Sequence, residues 1–212
     1  MMQNSIRAKN TEIAPEIILA SSSTYRKELF ERLRLPFLAI APDIDESALA
    51  QETPIQAALR LAQEKAEAIA ALHPGYIVIG SDQVATLQGE HIGKPGNHEN
   101  ALAQLLKMRG EEVIFHSALC VIDNRMPGAN QAHQIQIENC QTRVRFRNLS
   151  EAELDAYLRI ETPYDCAGSA KNEGLGIALI EKIQSDDPTA LTGLPLITLT
   201  SMLMRLKISF FQ

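Results

Sequence analysis

A mixed α/β sheet with flanking helices is the fold class this sequence predicts, and three observations predict it. Short apolar runs of strand type alternate along the chain with amphipathic stretches of helical period. Two capping boxes, Thr53 with Gln56 and Ser150 with Glu153, mark helix starts. Two long alternating runs, 112–123 and 134–148, stand side by side in mid-chain and put an antiparallel pair into the sheet.

Residues 1–15 are polar and aperiodic and are expected to form a loosely ordered leader before a single domain over 16–212. The apolar run at Ile17–Ala20 reads as a strand. Leu29, Phe30 and Leu33 then recur at helical spacing and predict a helix over 24–34. PFLAIAP reads as a strand stopped by Pro42, and the acidic PDIDES after it as a loop. The clearest helix starts at Thr53 as N-cap with Pro54 in the first turn, and it stops at His73, Pro74 and Gly75. Directly behind it YIVIG reads as a short buried strand ending at Gly80. Asn97–Met108 is amphipathic and closes at Gly110. In the alternating pair, Val113, Phe115, Leu119 and Val121 are expected on one face, and Ile135, Ile137, Val144 and Phe146 are expected to pack likewise. NRMPGAN between the two runs is a turn. A helix from Ser150 to about Ile160, a strand at IALIEKI and an apolar helix opened by Pro195 complete the chain.

Composition excludes several function classes. With 45% hydrophobic residues among 212, the chain can bury an ordinary core, and no stretch reaches the length of a membrane span. With no signal-peptide pattern either, a cytoplasmic location is expected. The net charge of -6 argues against nucleic acid polymers as partners, although one nucleotide needs only a local basic patch. Cys120, Cys140 and Cys166 lack ligand or disulfide spacing and read as free thiols, and the five histidines lack metal-ligand partners.

Chemistry concentrates in a few places. Ser21, Ser22, Ser23 and Arg26 crowd the corner between a strand and a helix, whereas a cap needs one serine. Hydroxyls and a guanidinium at a helix N-terminus suit phosphate. Taken alone, the stretch reads more simply as a capped surface turn. Asp82 is expected just beyond the C-terminal end of its strand, where open α/β sheets bind ligands, with a turn-capping aspartate as the alternative. Asp45 and Glu46 could join Asp82 around Mg2+, or be solvated loop carboxylates. Lys65 reads as a surface helix lysine, while Lys94, between Gly93 and Pro95, could reach a phosphate. In YDCAGSAKNEG, two glycines permit close approach to a ligand, and Glu173 could accept the two donors of a guanine edge.

In chain order LASSSTYRKEL, PDIDES, AQEKA, IGSDQV, GKP, CAGSAKNEG and TALTGLPL resemble the Maf-like nucleotide pyrophosphatases from about Ile17 to Leu206, most closely the branch that hydrolyses 7-methyl-GTP. The resemblance implies an elongated mixed sheet of the Maf/ITPase type with a central nucleotide-binding cleft. It implies phosphate binding by Ser21, Ser23, Arg26, Lys65 and Lys94, a proton acceptor at Asp82, and Mg2+ or Mn2+ held by Glu46 and Asp82. Tyr25, Gln83 and Glu173 fall where the thymidine- and uridine-preferring branch has arginine, threonine and glutamine. The methyl-GTP branch has tryptophan at the place of Tyr25 and proline at that of Thr24. The expected partner is a small nucleotide, with no nucleic acid polymer and no membrane, and a homodimer is left open. A pyrimidine-preferring pyrophosphatase and a nucleotide-binding regulator without turnover are the alternatives; no Walker motif supports a phosphotransferase.

Overall fold

The computed structural model describes residues 16–47, 49–125 and 134–211. The leader at 1–15 and most of the turn expected at 124–130 lie outside the described residues.

Strand β1 (Ile17–Ala20) is buried throughout and leads through the serines into α1 (Thr24–Glu31). That helix is shorter than the apolar spacing suggests, because the chain turns at Glu31 and Arg34 takes a left-handed φ of 55°. Strand β2 (Phe37–Ile40) follows, then α2 (Pro54–Ala70), whose capping box forms as expected with Pro54 in the first turn. Next come β3 (Ile77–Leu87), β4 (Glu90–Ile92), α3 (His98–Met108) capped by Asn97, and the long pair β5 (Glu112–Asp123) and β6 (Gln134–Phe146). After α4 (Glu151–Glu161), short 3-10 turns lead into β7 (Ile180–Gln184), and α5 (Leu196–Arg205) closes the fold. No helix among the described residues is long and apolar enough to cross a membrane.

The seven strands form one mixed sheet in the order β2-β1-β3-β5-β6-β7, with β4 beside the far end of β3. Pairing is parallel between β1 and both β2 and β3, and antiparallel between β3, β5, β6 and β7. Strand β3 does not stop at Gly80. Its antiparallel partner β5 matches it from Ile77 to Leu87 and carries it eleven residues, so Asp82 sits inside the strand. The expectation at the strand end still has a local counterpart, because the parallel pairing with β1 ends at Gly80.

Period-two alternation sends β3 and β5 residues to two faces. Val78, Ala118, Cys120 and Ile122 pack on the alanine stripe of α2. Gly80 is required there, since a Cβ would lie 2.1 Å from the Ala62 carbonyl and 2.8 Å from the Ala66 nitrogen. Ile77, Ile79, Leu119 and Val121 pack opposite, against Leu29, Phe30, Leu199 and Leu203 of α1 and α5. Farther along that same face Ala85, Val113 and Phe115 meet α3 and α4. Two helix pairs thus share one sheet face, and the turn at 190–193 bonds to Ser81, Gln83 and Ser117 between them.

The expectation for β6 holds only at one end. Val144 and Phe146 are buried, but Ile135 and Ile137 are 44% and 38% exposed. Ile135 and Val144 are an odd number of residues apart, so the pleat turns them to opposite faces.

Candidate active site

Between Gly80, where β1 ends, and Ala85, where β4 begins, one edge of β3 has no strand neighbour among the described residues. A cleft of about 770 Å³ opens over that edge. Ten of the residues singled out from sequence line it, Ser21, Ser23, Tyr25, Arg26, Glu46, Lys65, Asp82, Gln83, Lys94 and Glu173, whereas Asp45 does not.

At one end stands the serine corner. Ser23 is the N-cap of α1 and its Oγ accepts the Arg26 N–H at 3.4 Å, while Ser21 Oγ accepts the Ser23 N–H at 3.1 Å. Each hydroxyl accepts from the backbone and keeps its own O–H proton to donate. Arg26 Nε donates to the Gly193 carbonyl at 3.0 Å, which leaves the outer guanidinium nitrogens for a ligand. Burial lowers the affinity of that guanidinium for its proton, partly offset by Asp82 and Glu46. Gly193 has a left-handed φ of 106°. Its carbonyl also receives Ser81 Oγ at 3.0 Å, which ties the TALTG turn to β3.

Beside this corner, Lys65 stands on the buried stripe of α2 and is only 5% exposed, contrary to its reading as a surface lysine. Its Nζ lies 2.7 Å from Asp82 Oδ1 and 2.8 Å from Glu46 Oε1. Burial would raise the Glu46 carboxyl, but the bond and charge of Lys65, with Lys94 and Arg26 nearby, hold it below its ordinary range. Asp45 is spent locally, accepting the Ser47 N–H at 2.9 Å. The second oxygens of Glu46 and Asp82 accept nothing from the described residues. Two hard oxygen donors facing a phosphate site fit a divalent cation such as Mg2+, which takes one or two carboxylates and completes its shell with phosphate and water. No group of three or more metal-binding side chains occurs among the described residues. Lys94 projects at the rim from the loop after β4, which Gln104 Nε2 pins by donating to the Gly93 carbonyl at 3.1 Å.

At the other end are Tyr25, Gln83 and Glu173. Gln83 Nε2 donates to Ser117 Oγ at 2.9 Å and to the Ala190 and Leu191 carbonyls at 3.0 Å each. The amide nitrogen therefore braces the TALTG turn, and Oε1 is the atom left for a ligand. Glu173 keeps substantial solvent exposure at the rim, while partial enclosure raises its carboxyl above the ordinary range. The ring of Tyr25 carries a cation already: Lys171 Nζ lies 5.7 Å from its centroid. Lys171 was not found from sequence, and neither were Ser81, Ser117 and Gly193: Lys171 meets Tyr25 only in the fold, and the other three bond Ala118, Gln83 and Arg26 at separations of 37, 34 and 167 residues. The cysteines are free, and burial pushes Cys120 and Cys166 up to about 12, which keeps both thiols protonated.

Residues 16–206 match the family described as Maf-like protein. The 7-methyl-GTP pyrophosphatase of Cupriavidus metallidurans is 63% identical over 194 residues, covering 92% of this chain and 94% of that protein. The proteins of the same name from Burkholderia orbicola and Ralstonia nicotianae are 63% and 59% identical, covering 89% and 93% of this chain and 89% and 98% of their own lengths. Among solved structures, the Staphylococcus aureus Ham1 protein aligns with a TM-score of 0.43 and 16% identity over 62% of this chain and 72% of that one.

Proposed function

Since this chain belongs to the Maf-like protein family, we propose that it is a nucleoside triphosphate pyrophosphatase that hydrolyses 7-methyl-GTP to 7-methyl-GMP and pyrophosphate. The observation that carries this reading is the cleft at the open edge of β3. One carboxylate, Asp82, stands there between a phosphate-binding corner and an aromatic–carboxylate pair, Tyr25 and Glu173. The named relatives, near 60% identical over nine-tenths of the chain, support the substrate.

In this reading the triphosphate lies along Ser21, Ser23 and Arg26, with Lys94 closing over it. Asp82 accepts a proton from water as the new oxygen–phosphorus bond forms, and the α–β bridge breaks to release pyrophosphate. Lys65 aims the Asp82 carboxylate through its 2.7 Å bond to Oδ1, and Arg26 and Lys94 offset charge gathering on the phosphates. A divalent cation, Mg2+ or Mn2+, would be held by Glu46 and Asp82 and would supply further neutralisation of phosphate charge. At the far end, methylation at N7 makes the guanine ring cationic. The face of Tyr25 attracts such a ring by roughly 0.5 to 2 kcal/mol. The Glu173 carboxylate neutralises it and accepts its two donors. The proposed setting is the cytoplasmic nucleotide pool, with the enzyme removing a modified nucleotide as a monomer or a homodimer.

The test is turnover of 7-methyl-GTP, GTP, dTTP and UTP side by side with Mg2+, with the Asp82→Asn variant in parallel. The expected result is preference for 7-methyl-GTP and, in the variant, nucleotide binding without turnover. Preference for dTTP, or an active Asp82→Asn enzyme, overturns it. A regulator that only bound nucleotide would release no pyrophosphate.

A further inference from the structure

Glu161, the last residue of α4, does not line the cleft, yet its surroundings connect it to base recognition. A carboxylate at a helix C-terminus sits at the unfavourable end of the macrodipole, so its presence calls for a compensating contact. Two are made. Oε1 lies 3.2 Å from Lys171 Nζ, and Oε2 accepts the Leu175 N–H at 2.9 Å. One carboxylate thus holds both ends of the segment Lys171–Leu175, and Glu173 is its middle residue. These contacts, the Leu175 bond first, keep the Glu161 carboxyl below its ordinary range.

Two further bonds seat the same segment: Lys171 N–H donates to the Tyr157 hydroxyl at 3.1 Å, and Asn172 Nδ2 to Thr192 Oγ1 at 3.2 Å. The approach of Glu161 requires Gly174. A Cβ there would lie 2.8 and 2.9 Å from the two Glu161 oxygens, and those atoms with Glu161 Cδ are its nearest neighbours. The φ of Gly174, -121°, is not the left-handed region that calls for glycine, so what the glycine supplies is room for Glu161.

We propose that Glu161 is a positioning residue for base selection: its carboxylate fixes the Lys171–Leu175 segment so that Glu173 faces the cleft and Lys171 stays on the ring of Tyr25. The inference rests on the functional reading above, in which Tyr25 and Glu173 read the base. Glu161 itself touches no substrate.

The test compares wild type, Glu161→Ala, Gly174→Ala and the double variant. The readouts are KM and kcat for 7-methyl-GTP, GTP and dTTP, and inhibition by inorganic tripolyphosphate, which has phosphates and no base. Glu161→Ala should raise KM for 7-methyl-GTP about tenfold, the scale of one charge-assisted hydrogen bond, with kcat and tripolyphosphate inhibition unchanged. Gly174→Ala, which pushes the carboxylate away without altering it, should act in the same direction. The double variant should be no worse than either single one, because the space that the new methyl needs has been vacated. An unchanged ranking of nucleotides in Glu161→Ala, a loss of tripolyphosphate inhibition in step with KM, or two losses that add in the double variant would each overturn the inference. A wild type without preference for 7-methyl-GTP would overturn the functional reading and this inference together; that preference, retained in Glu161→Ala, overturns the inference alone.

Discussion

Replacing Lys65 with methionine keeps the aliphatic stem packed on β3 and deletes only the ammonium between Asp82 and Glu46. Asp82 is 7% exposed and bonded to Lys65 at 2.7 Å, so the variant leaves a buried carboxylate without its counter-ion. Breaking a buried pair from one side costs about 3 to 5 kcal/mol. The Glu46 half contributes little, because that side chain is 56% exposed and screened by solvent. The lower bound of about 3 kcal/mol is therefore the appropriate figure, and in a chain of this length it lowers Tm by roughly 6 to 12 °C. The assay is thermal unfolding near neutral pH in chelator and again with millimolar Mg2+. With the ammonium gone, two unpaired carboxylates bind the cation more tightly, so Mg2+ should recover more Tm in the variant than in wild type. A variant melting within about 2 °C of wild type in chelator would refute the premise that Lys65 is what neutralises Asp82.

Gly80→Ala forces a methyl against the α2 backbone and should cost about 1 to 3 kcal/mol or more from overpacking, read as a lower urea midpoint, with turnover falling as Lys65 shifts from Asp82. Gln83→Glu turns an oxygen toward the Ala190 and Leu191 carbonyls and loosens the turn that holds Arg26. KM should then rise for GTP and dTTP by similar factors, about tenfold, in steady-state assays. Glu173→Gln should cut selectivity for 7-methyl-GTP over dTTP by about ten- to a hundredfold. Because the folded state raises the Glu173 carboxyl, its ionised form is disfavoured by the fold, and wild type loses stability as pH rises through that raised value. The glutamine variant should thus melt slightly higher than wild type near pH 7, with the difference gone below about pH 4, where the unfolded carboxyl also binds its proton.

Much of this protein was readable locally. The caps at Thr53, Asn97 and Ser150 are bonds between residues three apart, so the sequence alone located those helix starts. The alternation of β5 follows from a period of two, and the resemblance of short motifs picked out ten residues that do share one cleft. The errors came where a neighbour distant in sequence decided the outcome. YIVIG looked complete at Gly80, but pairing with β5 extends β3 and puts Asp82 inside a strand. Lys65 looked solvated among glutamates, but α2 lies with that face on the sheet, and burial makes its two carboxylate partners obligatory. Ile135 and Ile137 looked like core, but no helix of the described chain covers them enough to bury them. The bonds from Arg26 to Gly193, from Gln83 to Ala190 and from Glu161 to Leu175 span 167, 107 and 14 residues. Such contacts leave no periodic mark on the sequence, because they form only when packing brings the TALTG turn and the end of α4 to the open edge of β3. Local hydrogen bonds and hydrophobic period are properties of the chain itself, whereas which carboxylate meets which cation is decided by the folded geometry.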